Sequence, residues 1–216
     1  ALLVQGKDAC SALREAVRLL PEDEEGHNTL GNALRSASQL EEAIASYRLA
    51  IALRPGYAEA HNNLGVALKA RGQLDEAAAS FRQALAITPD YVEAHNNLGS
   101  VLQMQGRNEE ALEAYRRAVA LAPGFAQPYL NLGRLFAAGG DTVNAAATFQ
   151  QAIARGIDVE IFNHLLSALR GETTAQAPDD YTRNLFDNFA GDFDRRLVQE
   201  LGYRIPETLA ARIKAL

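Results

Sequence analysis

Asparagine side chains recur along this sequence at a regular step. The segment EAHNNLG occupies residues 59–65 and appears again, unchanged, at residues 93–99. An asparagine amide carries one acceptor and two donor hydrogens, enough to pair with both polar groups of a peptide backbone. A row of such amides would therefore hold an extended chain by hydrogen bonds while ignoring its side chains. The chemistry that this spacing favours is peptide capture.

Histidines recur with the same step, at His27, His61 and His95. Imidazoles bind metal ions, but the ligand nitrogens of a zinc site lie about 2.0–2.1 Å from one ion. Successive helices of a repeated unit stand roughly 8–10 Å apart, which keeps these side chains from meeting at one ion. We therefore predict no metal site and assign the histidines to the packed core. Tyr129, which follows His95 by the same step, takes the place of a fourth histidine.

Composition and motifs exclude several other classes of function. No phosphate-binding glycine loop, nucleophile elbow or zinc-protease motif is present, so we predict no catalytic residues. The chain has 21 basic and 27 acidic residues, a net charge of −6, whereas affinity for nucleic acids comes largely from basic groups. Cys10 is the only cysteine, and no run approaches the roughly 20 apolar residues that span a bilayer. These features predict a cytoplasmic protein with neither nucleic-acid nor membrane partners.

The step between these residues is 34, and other residue types keep it as well. Glycines, aromatic residues and prolines each form a series of four in one register: Gly31, Gly65, Gly99 and Gly133; Tyr47, Phe81, Tyr115 and Phe149; Pro21, Pro55, Pro89 and Pro123. A fixed period of this length indicates stacked supersecondary units, each of which buries its apolar face against the next.

Each unit is predicted to hold two α-helices. In the second full unit they span about residues 58–70 and about residues 75–87. The second helix ends before Pro89, which has no N–H and whose ring clashes with a continuing helix. Gly65 is small because the two helices cross there, and the ring of Phe81 is expected beside it.

With its small, aromatic and proline positions in place, the unit resembles the tetratricopeptide repeat. The resemblance implies an all-α fold, a right-handed superhelix (α-solenoid) of antiparallel helix pairs. It covers residues 1–171 as a leading half repeat, four full repeats and a trailing helix, and the full repeats are residues 24–57, 58–91, 92–125 and 126–159. Residues 172–216 are predicted to form a C-terminal helical extension.

A helical wheel of 100° per residue divides each first helix into a packed face and an open face. The open face carries the second, fifth, sixth, ninth, twelfth and thirteenth residues of the helix and would line the groove of the superhelix. The candidate peptide-binding residues are therefore Asn28, Asn62, Asn63, Asn96, Asn97, Asn131, Lys69 and Arg134. The solenoid of O-linked N-acetylglucosamine transferases is similar, with backbone-gripping asparagines at the place of Asn63, Asn97 and Asn131. Two other interpretations stay open: the amides are solvated, or they bond across neighbouring first helices.

The C-terminal segment does not follow the 34-residue period. Residues 179–213 include LFDNFAGDFDRRLVQELGYRIPETL, which resembles the helical lead-in of bacterial S-adenosylmethionine-dependent methyltransferases. In that group the lead-in precedes the catalytic domain, and several members carry tetratricopeptide repeats in front. The resemblance implies that S-adenosylmethionine is the cofactor of a following domain and that none is bound within this chain. The apolar stripe of this segment also predicts self-association through the C-terminal helices.

We thus predict a scaffold that binds a protein or an extended peptide in its concave groove and forms the recruiting front portion of a methyltransferase. The chain begins at Ala1 without a methionine, which favours a fragment or a processed product. Two alternatives are a non-enzymatic tetratricopeptide-repeat scaffold and the repeat portion of a glycosyltransferase similar to the O-linked N-acetylglucosamine transferases.

Overall fold

A computed structural model describes residues 2–172 of the chain, with side chains described from Cys10 onward. These residues form ten α-helices and no strand, which confirms the all-α prediction for this part of the chain. The helices are α1 (Leu2–Leu19), α2 (Glu24–Ser36), α3 (Leu40–Leu53), α4 (Ala58–Ala70), α5 (Leu74–Ile87), α6 (Val92–Met104), α7 (Asn108–Leu121), α8 (Ala126–Ala138), α9 (Thr142–Ala154) and α10 (Val159–Leu169).

The helices pack in the order in which they follow one another. α2 packs on α3, α4 on α5, α6 on α7 and α8 on α9, and each second helix also contacts the first helix of the next pair. The predicted first helix at residues 58–70 is confirmed as α4, and the second begins one residue earlier than predicted, at Leu74. We call α2, α4, α6 and α8 the first helices, and α3, α5, α7 and α9 the second helices.

Each repeat is held together where an aromatic ring lies on a glycine. A Cβ atom added to Gly65 would stand 2.6 Å from the ring of Phe81, and one added to Gly133 would stand 2.1 Å from the ring of Phe149. The same closeness recurs at Gly31 with Tyr47 and at Gly99 with Tyr115. The prediction that the aromatic residue fills the space beside the small residue is confirmed, since all four rings are fully or almost fully buried.

The turn inside each pair uses a left-handed backbone residue. Gly72 has a φ of 77°, Gly106 has 75° and Gly140 has 78°. Glycine has no Cβ and adopts this conformation without strain, which lets the next residue bond back into the helix. The Gln73 N–H accordingly donates to the Leu68 carbonyl at 2.9 Å. In the first repeat Ser38 occupies this place with a φ of 60°.

The exit from the fourth repeat differs from the others. Ile157 stands where the earlier repeats have proline, and Gly156 and Asp158 both have positive φ, at 72° and 34°. Residue contacts divide the chain here into Ala1–Ile157 and Asp158–Leu216. The predicted trailing helix is therefore α10, in the second unit. Apart from Glu172, the predicted extension at residues 172–216 and its apolar stripe lie outside the residues that the structure describes, and the domain limits stay a prediction.

Candidate functional site

The candidate amides lie on the first helices, which stand side by side. α2 contacts α4, α4 contacts α6 and α6 contacts α8. The candidate asparagines are fifth or sixth residues of these helices, so the amides of neighbouring repeats meet in a row. Because side chains five and six point about 100° apart around the helix, the sixth faces the preceding repeat while the fifth faces the following repeat.

Three hydrogen bonds connect these amides across the repeats. The amide nitrogen of Asn63 donates to Asn28 Oδ1 at 3.0 Å, and that of Asn97 donates to Asn62 Oδ1 at 3.1 Å. Asn131 donates in the same way to Asn96 Oδ1 at 2.9 Å. In every case the sixth residue of one first helix donates to the fifth residue of the helix before it. We call these three bonds the asparagine ladder.

The ladder corrects the helical wheel on one point. Asn28, Asn62 and Asn96 do not lie on the open surface, because only 3%, 6% and 8% of their accessible surface is exposed. A wheel describes one helix alone, whereas here the neighbouring first helix covers the flank that carries the fifth residue. The alternative in which the amides bond across neighbouring first helices is therefore the one that the geometry shows. Asn63, Asn97 and Asn131 are half-buried.

The Asn28 amide of the first rung is saturated within the chain. The amide nitrogen of Asn28 donates to the Tyr57 hydroxyl at 3.3 Å and to Glu59 Oε1 at 3.0 Å. With its oxygen accepting from Asn63, this amide has used both hydrogens and one acceptor site. The guanidinium of Arg54 lies 3.6 Å from the centroid of the Tyr57 ring and holds that ring in place. Asn28 has no donor hydrogen left for a bound peptide.

Other amides of the ladder keep free groups. Among the residues with described side chains, none accepts from the amide nitrogen of Asn62 or Asn96, and none donates to the amide oxygen of Asn63 or Asn97. The amide oxygen of Asn131 is engaged, because Gln127 donates to it at 3.1 Å. The free donors therefore belong to Asn62 and Asn96 and the free acceptors to Asn63 and Asn97, so α4 and α6 each carry one of both kinds side by side.

Charged residues flank the ladder at the two ends of the first helices. Glu25, Glu59 and Glu93 occupy the second place, and Lys69 occupies the twelfth place of its helix. Burial lowers the pKa of Lys69, and its ammonium lies 3.5 Å from Ser100 Oγ. No carboxylate within residues 10–172 forms an ion pair with Lys69. Arg134 is half-buried on α8.

Sequence reasoning missed Arg35, which occupies the same twelfth place on α2. Burial raises the pKa of the Tyr47 hydroxyl, and the hydrogen bond and charge of Arg35 partly offset this rise. The Tyr47 hydroxyl also donates to Asn32 Oδ1 at 2.8 Å. The repeat spacing could have identified Arg35 as a candidate, since Arg35 precedes Lys69 by 34 residues.

The recurring histidines bind backbone carbonyls. His27 and His61 each place Nε2 3.0 Å from the carbonyl oxygen of the proline six residues earlier, and His95 does so at 2.8 Å. A carbonyl only accepts, so Nε2 carries the hydrogen in each ring. Tyr129 donates its hydroxyl to the Pro123 carbonyl at 3.2 Å. This shared contact explains why histidine and tyrosine occupy one place, and it joins each first helix to the turn before it.

Within the described residues, no group of three or more histidine, cysteine or acidic side chains is arranged to hold a metal ion. No helix among these residues is both long enough and apolar enough to cross a membrane.

Known sequence families match most of the repeated part of the chain. The family described as TPR repeat matches residues 31–71 and 66–106, and the family described as Tetratricopeptide repeat matches residues 92–125. A further tetratricopeptide-repeat family matches residues 129–155. These matches together span more than half of the sequence. No curated protein matches the sequence.

Solved structures share the fold. A crystal structure of MamA is 25% identical, with a TM-score of 0.65, over 70% of this chain and 88% of MamA. A crystal structure of PilW, a widely conserved type IV pilus biogenesis factor, is 24% identical, with a TM-score of 0.67, over 89% of this chain and 90% of PilW. The Arabidopsis OM64 TPR domain is 25% identical, with a TM-score of 0.52, over 53% of this chain and 94% of that domain. All three are similar to this chain as helical-repeat proteins.

Proposed function

We propose that this chain, which belongs to the tetratricopeptide-repeat family, binds an extended segment of a partner protein across α4, α6 and α8. The observation that carries the proposal is the free donor and the free acceptor that the amides leave on each of α4 and α6. The amide hydrogens of Asn62 and Asn96 donate to backbone carbonyls of the bound segment, and the amide oxygens of Asn63 and Asn97 accept from its N–H groups. Backbone groups are common to all sequences, so these contacts give affinity without selecting side chains.

The spacing of the first helices suits such a segment. Packed helices stand about 8–10 Å apart, and an extended chain advances about 3.3 Å per residue. One rung would therefore meet the bound chain at about every third residue. The peptide-binding set of this proposal is narrower than the sequence-based set, because Asn28 and Asn131 are engaged within the chain.

Lys69 supplies the preference for charge. The half-buried ammonium contacts the Ser100 hydroxyl but no carboxylate within the described residues, so it loses part of its hydration without a compensating charge, which is why its pKa is lowered. A carboxylate of the bound segment beside Lys69 would compensate for the lost hydration and keep the ammonium charged. We therefore expect the preferred segments to carry an acidic residue where they cross α4.

The free amide hydrogens are tested by replacing both Asn62 and Asn96 with aspartate. Aspartate keeps the size and the acceptor oxygen that each ladder bond needs, but it removes the donor hydrogens. We expect this variant to bind at least about tenfold more weakly to a peptide selected by phage display against the parent chain, since two hydrogen bonds are lost. Fluorescence anisotropy with the labelled peptide measures the change.

The control is a variant with the same added charge, Asn108→Asp with Asn163→Asp, at two exposed places outside the first helices. It should bind the peptide as the parent chain does. Equal affinity of the Asn62 and Asn96 variant and this control would contradict the proposal. Circular dichroism of both variants checks that the helices remain.

We also propose that the groove recruits partners for an enzyme domain that follows it. The resemblance of residues 179–213 to a methyltransferase lead-in supports a recruiting role in front of an S-adenosylmethionine-dependent methyltransferase domain, in the cytoplasm. S-adenosylmethionine would then be held by that following domain, and the C-terminal helices would pair between chains where it does not cover them. A non-enzymatic scaffold and the front of a glycosyltransferase stay as the two alternatives.

Isothermal calorimetry with S-adenosylmethionine separates these functions. We expect residues 1–216 alone to give no binding heat, because the cofactor needs a glycine-rich turn after a strand and the sequence has neither. The protein encoded by the whole gene should bind the cofactor. Binding by residues 1–216 themselves would overturn the interpretation of the C-terminal segment, and a whole-gene product that does not bind would favour the two alternatives.

A further inference from the structure

Ion pairs join successive repeats on the side of the second helices. Arg14 pairs with Glu42 at 2.6 Å, Arg48 with Glu76 at 3.1 Å and Arg82 with Glu110 at 3.7 Å. Partners in each pair are 28 residues apart, and successive pairs are shifted by 34 residues. One contact, from an arginine of one repeat to a glutamate of the next, is thus used three times.

The next junction, between the third and fourth repeats, breaks this series. Arg116 follows Arg82 by 34 residues, but Asn144 stands where the glutamate should be. The guanidinium of Arg116 lies 5.5 Å from the centroid of the Phe136 ring instead. The amide of Asn144 donates to Asp141 Oδ2 at 2.6 Å, so it is turned to its own helix end.

A second arginine enters at the same junction. Arg155 occupies a place that is held by Leu53, Ile87 and Leu121 in the other repeats. Within residues 10–172, neither Arg155 nor Arg116 forms an ion pair with a carboxylate. Two cations therefore stand at a place where the other junctions have a neutralised pair and an aliphatic side chain.

These two arginines line a cavity of about 490 Å³ between α7, α8 and α9. Its apolar lining includes Val119, Leu132 and Phe136. A cavity of similar volume, about 510 Å³, lies between α5 and α7 near Arg107. There the charge is neutralised, because Arg107 pairs with Glu110 at 2.6 Å. The combination of an apolar floor with uncompensated arginines belongs to the first cavity.

We propose that this cavity is a second docking site, which binds an acidic segment of a partner protein in which an aspartate or glutamate adjoins an aromatic residue. The carboxylate is held by Arg116 and Arg155, whose planar guanidinium groups match its two oxygens. The aromatic ring packs on Leu132 and Phe136. A volume of this size accommodates one such pair of side chains. The site is lined by α7, α8 and α9 and shares no residue with the proposed groove on the first helices.

The matched variant is Asn144→Glu, which recreates the ion pair of the other three junctions. The new carboxylate would form an ion pair with Arg116, which would then no longer be free to bind the carboxylate of a partner. Arg155→Leu is the second variant, and it restores the aliphatic residue of the other repeats. The control is Arg82→Gln, which removes an arginine from a junction whose charge is already paired.

The probe is a short fluorescein-labelled peptide that alternates aspartate and phenylalanine, and its affinity is measured by fluorescence anisotropy. We expect about tenfold or greater loss of affinity in each of Asn144→Glu and Arg155→Leu, and parental affinity in Arg82→Gln. The affinity should fall as salt is raised, and a peptide with asparagine in place of aspartate should bind at least about tenfold more weakly.

Three results would overturn the proposal. One is parental affinity in both cavity variants, and another is equal binding of the asparagine peptide. The third is loss of the probe in the Asn62 and Asn96 aspartate variant with retention in the cavity variants, since that places the probe in the groove. Because Asn144→Glu and Arg155→Leu restore residues that fold well in the other repeats, thermal unfolding should show both variants intact.

Discussion

Gly65→Ala lowers the free energy of unfolding by about 1–3 kcal/mol, the usual effect of overpacking a core. The added Cβ atom would stand 2.6 Å from Cε1 and 2.8 Å from Cδ1 of Phe81. That ring is fully buried, so it has no free space into which to move. In an exposed helix, replacing glycine with alanine would instead stabilise by about 1 kcal/mol. The sign of the effect therefore reports the contact and not the helix propensity, and urea unfolding followed by circular dichroism measures it.

Gly124→Ala is the matched control, because an added Cβ atom there meets nothing within 4 Å. We expect it to change stability by less than about 0.5 kcal/mol, as surface substitutions do. Combining Gly65→Ala with Phe81→Leu should recover part of the loss due to the added methyl group, since the smaller side chain leaves room for it. Equal stability of Gly65→Ala and the parent chain would show that the helices do not cross at Gly65.

Asn97→Ala is expected to cost about 1–3 kcal/mol, because it leaves the buried amide oxygen of Asn62 without its donor. For an exposed asparagine the cost of such a substitution would be only about 0.5 kcal/mol. The structure raises it, since Asn62 is 6% exposed and water cannot readily replace the lost hydrogen bond. Thermal and urea unfolding both measure this change.

Thr29→Ala is the control for this prediction. Thr29 occupies the sixth place of α2, but it is exposed and stands outside the ladder. It should leave stability within about 0.5 kcal/mol of the parent. A double-mutant cycle of Asn62→Leu with Asn97→Ala should show a coupling energy of about 0.5–3 kcal/mol, as expected for residues in contact. Additive effects of the two substitutions would mean that the ladder bond is absent in solution.

The two roles of the asparagines have different tests because they use different atoms. The oxygen of Asn62 serves the ladder, whereas its amide hydrogens are free for a ligand. Substitution by alanine removes both roles together, but substitution by aspartate removes only the hydrogens. A loss of peptide binding in the alanine variant alone would therefore not separate a binding role from a stabilising one.

Most of the fold was predictable because it depends on contacts that recur with the repeat. The glycine and aromatic series predicted which residues face each other, and the observed pairs follow that register, Gly65 with Phe81 being one. The bounds of α4 agree with the prediction, because proline and a left-handed glycine terminate the elements locally. The repeat family was predictable for the same reason, since its signature consists of these packing residues.

The sequence by itself determined the period, the helix pairs and the row in which the amides lie, because each follows from local periodicity and steric limits. Only the tertiary structure decided what each amide does. Asn28 and Asn62 occupy equivalent places, yet the first is saturated by Tyr57 and Glu59 while the second keeps free hydrogens. The sequence likewise shows that arginines occupy positions 116 and 155, beside the cavity at α7, α8 and α9. Whether they have carboxylate partners depends on residues of other helices, and those distances are set only when the repeats stack.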